Sequence, residues 1–318
     1  MNVRDSATPP FFIVGSGRSG STLLRIILAA HPSVCIPPET HFILPLVKSL
    51  PVGRPLTPVQ IGDAVRIVTE HYRWPDLELP AEDLAREFGG RDDATVGELL
   101  ASVYDRLAGR EGATIWGDKT PPYIKIVPEL ASLFPGARFI YLIRDGHDVT
   151  RSFQTTGWYG PWLHDNTAEW RESVECRARW ARLDAIPILD VRYEDLVTDL
   201  EGTTRRIAEF LEIDVKPEML DWGEEVFEKI PGREQHIHGK LGRRPKPSDI
   251  YRYRNNMGFR ECLIVESWIH RELRDNGYAL RFASPAWRPV FAAVRGVQRV
   301  GFPMGSRVKR ALRALAGR

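Results

Sequence analysis

Cysteine is scarce in this chain: 318 residues contain three, Cys35, Cys176 and Cys262. They stand far apart in no disulfide or metal-ligand spacing, which excludes a disulfide-framed secreted module and favours a reducing compartment, the cytoplasm. No run of about 20 apolar residues occurs, so no membrane-spanning helix is expected. The ten residues before the first strand-like run hold no apolar segment of the signal-peptide kind, and no leader is expected either. Excess charge of one sign is nearly absent, with 44 Lys and Arg against 42 Asp and Glu for a net +2. That balance excludes a general nucleic-acid binder while leaving room for a local anion site. Internal repeats and low-complexity tracts are also missing, and the length suits one large α/β domain or two small ones.

What is there alternates short apolar runs with helical segments: FFIVG from Phe11, SVCIP from Ser33, ATIWG from Ala113, RFIYLIR from Arg138 and IPILDVRY from Ile186. The alternation predicts an α/β fold with a central, mostly parallel sheet flanked by helices in three layers. The segment from Ser21 to Ala30 is apolar nearly all round, which predicts a buried helix ended by His31-Pro32. Residues from about 52 to 112 are more polar and helical in pattern, and read as an insertion capping the sheet. A helix from Asn166 is expected to put Trp170, Val174, Ala178 and Ala181 on one face. The main domain is expected to run to residue 283. From 284 to 318 the chain is basic without a single acid, and Val290, Phe291, Val294, Val297 and Phe302 lie between the arginines. Such a tail forms an amphipathic helix on an anionic membrane or a partner, or packs on the surface.

One more absence sits in the loop GSGRSGST, Gly15 to Thr22, between the first strand and the first helix. Its spacing is that of a phosphate-cradling P-loop, yet Ser21 stands where a nucleotide triphosphatase carries the lysine that reaches the β- and γ-phosphates. Backbone N–H groups and the helix N-terminus still offer an anion site, to which Gly17, Arg18, Ser19, Gly20, Ser21 and Thr22 contribute. A second constellation follows the fourth strand in FIYLIRDGHDVTRSF, where Arg144 and Ser152 are placed to hold a second phosphate. Read alone, Arg144-Asp145 is equally a surface ion pair, and Asp145 a metal-holding acid. In IPPETHFI and GDKTPPYI, paired prolines stiffen the backbone beside Glu39 and Lys119, a carboxylate and an ammonium suited to base and charge-stabilising roles. His236 and His238 have no third ligand at suitable spacing, so no metal site is assigned.

Taken in order, GSGRSGSTLL, ETHFI, GDKTPPYI, FIYLIRDGHDVTRSF and VRYEDL resemble sulfotransferases that use 3′-phosphoadenosine 5′-phosphosulfate (PAPS). The resemblance runs from about Phe11 to Tyr278 and is nearest to the bacterial family and the tyrosylprotein and heparan-sulfate branches. It implies a P-loop-type fold, PAPS as cofactor and no required metal. It also implies 5′-phosphate binding by Arg18 to Thr22, 3′-phosphate binding by Arg144 and Ser152, Glu39 as catalytic base with His41 a weaker candidate, and Lys119 and Arg18 as charge stabilisers. The basic Lys240, Arg243 and Arg244 are expected to close over the nucleotide, and Tyr193 and Glu194 to support the site.

The implied acceptor is a hydroxyl on a small molecule, glycan or lipid. Trp158, Tyr159, Trp162 and Trp170 are expected to line its pocket beside His41, or to pack in the core. The rival reading is a P-loop kinase or NTPase using ATP, and a third is a nucleotide-binding module without activity.

Overall fold

The period-two pattern of the strands decides the architecture. The computed structural model describes residues 8–156, 162–183, 185–221 and 244–301. Among them β1 (Phe11–Gly15), β2 (Val34–Cys35), β3 (Ile115–Lys119), β4 (Arg138–Ile143) and β5 (Ile188–Arg192) form one sheet in the order β2-β3-β1-β4-β5. Every pairing is parallel, so the sheet is parallel throughout rather than mostly so. Alternate residues feed two cores: Phe12, Val14, Phe139 and Tyr141 join one, and Phe11, Ile13, Ile140 and Leu142 the other. Helices cover both faces, as buried parallel strands require. The SVCIP run pairs over only two residues, because Pro37 and Pro38 follow closely and cannot donate to a ladder.

The helices are α1 (Ser21–Ala29), α2 (Ile43–Ser49), α3 (Pro58–Thr69), α4 (Ala81–Phe88), α5 (Val96–Glu111), α6 (Val127–Leu133), α7 (Gly146–Thr156), α8 (Leu163–Trp180), α9 (Tyr193–Thr198), α10 (Leu200–Leu211), α11 (Tyr253–Asn256), α12 (Phe259–Asp275) and α13 (Arg288–Gly301). α1 is buried from Ser21 to Leu28, as its apolar circumference demands. It shares one face of the sheet with α9 and α10. The more polar stretch between β2 and β3 folds as α3 to α5, which thicken the opposite face through Ile61, Leu84, Phe88 and Leu100. Reciprocal capping boxes, Thr57 with Gln60 and Thr95 with Glu98, fix where α3 and α5 begin. On α8 the buried face carries Trp170, Ser173, Val174 and Cys176, while Ala178 and Ala181 are exposed, contrary to the spacing read from sequence. α13 docks on α12 with Phe291 buried and a hydrogen bond from the Trp268 indole to Gln298. Among the described residues no helix is long and apolar enough to cross a membrane.

Candidate active site

Parallel strands bring their C-terminal ends to one edge of the sheet, and each strand here delivers a site segment at that edge. β1 runs into the Ser16–Gly20 loop, β2 leads within four residues to Glu39, and Lys119 ends β3. Arg144 follows β4 directly, and Tyr193 follows β5.

Glycine shapes the loop at two points. Gly15 has φ 151°, and a Cβ there would lie 2.4 Å from the Leu142 carbonyl oxygen. Gly20, the residue before α1, has φ 95°, and a Cβ would meet the Tyr193 ring at 2.2 Å. The loop can therefore close onto β4 and onto Tyr193 only without side chains at these positions. Among the described residues no side chain caps α1, so its first amides keep their donors for a ligand. The buried Ser19 Oγ has no partner among the described residues. A buried hydroxyl and uncapped amides beside cations form a donor set that fits a phosphate ester.

The second constellation meets the first directly. Arg18 donates from Nε to Ser152 Oγ at 3.1 Å, and Arg144 donates from Nη1 to the Arg18 carbonyl at 3.4 Å. Arg144 is held by Asp148 (3.0 Å), by the Asp249 carbonyl (3.1 Å) and by stacking 4.4 Å from the Tyr193 ring centre. Its Nε is buried without a partner among the described residues. Burial first, and then the neighbouring Arg144 charge, lower the Arg18 pKa, with Glu39 acting in the opposite direction. Two guanidinium groups in one half-buried site gain from an anion between them.

Asp145 turns away from this site. It is fully buried, holds the His147 ring at 2.9 Å, and takes a backbone position fixed by Glu194 at 2.9 Å. The reading of Arg144-Asp145 as a surface ion pair is thereby corrected, since Arg144 pairs with Asp148 instead.

The carboxylate of Glu39 is gripped on both oxygens. Lys119 Nζ lies 2.5 Å from Oε1 and His41 Nε2 2.8 Å from Oε2. Arg73 Nε donates to the Glu39 carbonyl at 2.6 Å. Burial works against the Glu39 anion, but the Lys119 charge and the His41 hydrogen bond outweigh it and hold its pKa far below the usual carboxylate range. Lys119 also donates to Thr22 Oγ1 at 3.4 Å, so one ammonium links the base candidate to the phosphate loop.

Beneath this pair lies a buried polar network. Thr40 donates from its amide to Thr120 Oγ1 (3.1 Å) and from its hydroxyl to Asp118 Oδ2 (2.8 Å). The Tyr104 hydroxyl reaches the same Asp118 oxygen at 2.7 Å, and Tyr123 accepts from the Ile43 amide at 3.1 Å. These bonds tie the Glu39 segment to the Lys119 segment, and sequence reading singled out neither tyrosine: Tyr104 sits in an ordinary amphipathic pattern. Burial pushes the Asp118 carboxyl up. On the outer side His41, with φ 59°, stacks 6.4 Å from Tyr72, which lies 4.6 Å from His71. Burial, then the His41 and Arg73 charges, lower the His71 pKa to about 4.

Of the aromatic residues, Trp170 is a core residue whose indole donates to the Arg144 carbonyl at 2.8 Å. Trp162 is 42% exposed at the start of α8. Trp158, Tyr159, His236, His238, Lys240 and Arg243 lie outside the described residues, and Arg244 is exposed.

Residues 9–217 match the profile described as the Sulfotransferase family, which is more than half of the chain. The chain belongs to the sulfotransferase family. It is 26% identical over 212 residues to protein-tyrosine sulfotransferase 1 of Danio rerio, covering 64% of this chain and 53% of that protein. It is 29% identical over 191 residues to the nodulation protein NoeE of Sinorhizobium fredii, covering 59% of this chain and 41% of NoeE. The chain thus spans about half the length of the curated relatives it matches. In fold it is similar to the sulfotransferase domain from the Synechococcus PCC 7002 olefin synthase, with a TM-score of 0.63, 22% identity, and 86% and 95% of the two chains covered.

Proposed function

We propose that the chain transfers a sulfuryl group from PAPS to a hydroxyl of a small-molecule, glycan or lipid acceptor. The observation that carries the reading is the bond from Arg144 to the Arg18 carbonyl. It makes the phosphate loop and the Arg144–Ser152 grip one continuous cationic site, which suits a nucleotide with phosphates at both ends of its ribose. Arg18, Ser19, Gly20, Ser21 and Thr22 would hold the 5′ end, and Arg144 and Ser152 the 3′-phosphate. When bound, PAPS supplies the activated sulfuryl group.

With PAPS supplying the sulfuryl group and the 5′-phosphate as its leaving group, Glu39 would take the proton that the acceptor hydroxyl gives up. Lys119 and Arg18 face the charge left on the phosphate oxygen. The resting ion pair keeps Glu39 ionised at the cost of basicity. Lys119 stands between Glu39 and Thr22, so a shift of its ammonium toward the loop frees Oε1 and raises the proton affinity of the carboxylate. His41 remains on Oε2 and fixes the orientation of the carboxylate. Tyr72 and His41 open outward from Glu39 and suit the acceptor side, which lends weight to His41 as a substrate-facing residue.

Thermal melting with adenosine 3′,5′-bisphosphate in the absence of magnesium, set against Mg-ATP, separates this reading from a kinase. Stronger stabilisation by Mg-ATP reverses the assignment. Mass spectrometry of cell extracts incubated with labelled PAPS then identifies the acceptor, and wild-type chain that binds the bisphosphate yet labels nothing points to the non-enzymatic alternative.

A further inference from the structure

A second basic cavity, apart from the strand-end site, lies between α12 and α13. It has a volume of about 460 Å³ and is lined by His270, Arg271, Arg274, Arg288, Phe291 and Arg295. Four arginines line it, and only two of them have an acidic partner. Asp275 pairs with both Arg274 (2.8 Å) and Arg271 (3.6 Å). Among the described residues neither Arg288 nor Arg295 pairs with a carboxylate, and Arg295 instead donates to the Ser267 carbonyl, which holds it at the junction of the two helices.

The cavity has an apolar side as well. Phe291 is 2% exposed and its ring lies 5.1 Å from that of His270. Burial lowers the His270 pKa; Glu272 opposes this, and the charges of Arg274, Arg295 and Arg288 reinforce it, so these arginines bear on one point. A neutral imidazole and a phenyl ring between guanidinium forks match a ligand with a compact carbon skeleton and anionic substituents. One inorganic phosphate would leave most of the volume empty, since cavities of about 300–1,000 Å³ take whole small molecules.

We propose that the α12–α13 cavity binds a polyphosphorylated small ring, either as a free metabolite or as the headgroup of a phosphorylated lipid. The phosphates bridge Arg288 and Arg295 of α13 to Arg271 and Arg274 of α12, and the ring rests on Phe291 and His270. Binding there clamps α13 to the domain, because each phosphate neutralises charges that repel one another across the two helices.

Calorimetry with inositol hexakisphosphate as the soluble probe tests the site in the full chain, using wild type, Arg288→Glu and Arg144→Ala. The expected result is binding near one per chain that survives Arg144→Ala and weakens at least about tenfold in Arg288→Glu. Arg288 is exposed and its side chain makes no hydrogen bond or ion pair among the described residues, so the melting temperature of Arg288→Glu without ligand should match wild type; Arg274→Glu serves as the second variant if it does not. Absence of binding, or equal affinity in wild type and both glutamate variants, overturns the proposal. Loss of binding in Arg144→Ala alone would also overturn it, by assigning the probe to the strand-end site. Co-sedimentation with phosphatidylcholine vesicles, with and without phosphatidylinositol 4,5-bisphosphate, distinguishes the sources. Capture that depends on both the lipid phosphate and Arg288 identifies a headgroup, and binding of the soluble probe alone identifies a free metabolite.

Discussion

The Lys119 ammonium lies 2.5 Å from Glu39 Oε1, with the lysine side chain 1% exposed and the glutamate side chain 24% exposed. One buried cation therefore determines whether the base candidate is a weak or a competent proton acceptor. Removing it exposes both roles at once. Lys119→Ala should lower sulfuryl transfer by about 10²–10³, the usual loss for one well-placed transition-state donor. It should also shift the acid limb of the pH–rate profile to higher pH, because a Glu39 without its ion pair protonates more readily. A slower enzyme with an unshifted acid limb would show that Lys119 does not govern Glu39.

Arg144 is the second grip, and its partners say how its loss should read. Arg144→Ala should weaken adenosine 3′,5′-bisphosphate binding by about 10- to 150-fold, the equivalent of roughly 1.5–3 kcal/mol for a hydrogen bond to a charged group. Asp148→Asn keeps the arginine but loosens its orientation and the anchoring of the Arg252 and Tyr253 amides. It should weaken binding less than Arg144→Ala. Calorimetric affinities in the reverse order would remove Arg144 from the nucleotide site.

Gly20 carries two demands that can be separated. Gly20→Ala places a Cβ 2.2 Å from Tyr193 and forces an alanine to φ 95°. The backbone share is about 1–2 kcal/mol for a left-handed alanine, and the clash adds to it. Denaturation should show Gly20→Ala well below wild type. Adding Tyr193→Ala should recover only the steric part, judged against Tyr193→Ala alone. Full recovery would mean that the positive φ is not a constraint.

How much of this was legible in the sequence follows from the range of each interaction. Strand alternation is local, so Phe11 to Gly15 and Arg138 to Ile143 announce both their type and their two-sided burial. The loop and the strand-end residues Lys119 and Arg144 were legible for the same reason, since a short motif fixes each. Contacts made between distant segments were not. The Asp249 carbonyl holds Arg144 from 105 residues away, and nothing in either segment names the other. Trp170 illustrates the ambiguity of aromatics: the same residue type suits a pocket or a core, and only its burial in the folded chain decides. Tyr104 was hidden because a helix pattern reports burial and says nothing about a hydroxyl.

The final prediction concerns His147, a residue quoted within the Arg144 motif but given no role there. It is fully buried between Asp145 (2.9 Å) and Glu266 (3.3 Å). Burial alone would lower its pKa, but hydrogen bonds to the two carboxylates prevail and raise it from 6.5 to about 9. Glu266 also accepts the Arg281 and Phe282 amides, so the imidazolium helps hold α12 and the segment after it against α7. A pKa raised on folding means that the folded state binds the proton more tightly. The stabilisation is therefore complete below pH 6.5 and is lost as pH rises through about 9. The shift corresponds to about 3 kcal/mol. Urea denaturation at pH 6 and at pH 9.5 should show wild type losing stability on that order, while His147→Asn, already less stable at pH 6, should lose much less. Equal pH dependence in the two proteins would mean that His147 is neutral in the folded state, and that one of the two carboxylates carries the proton instead.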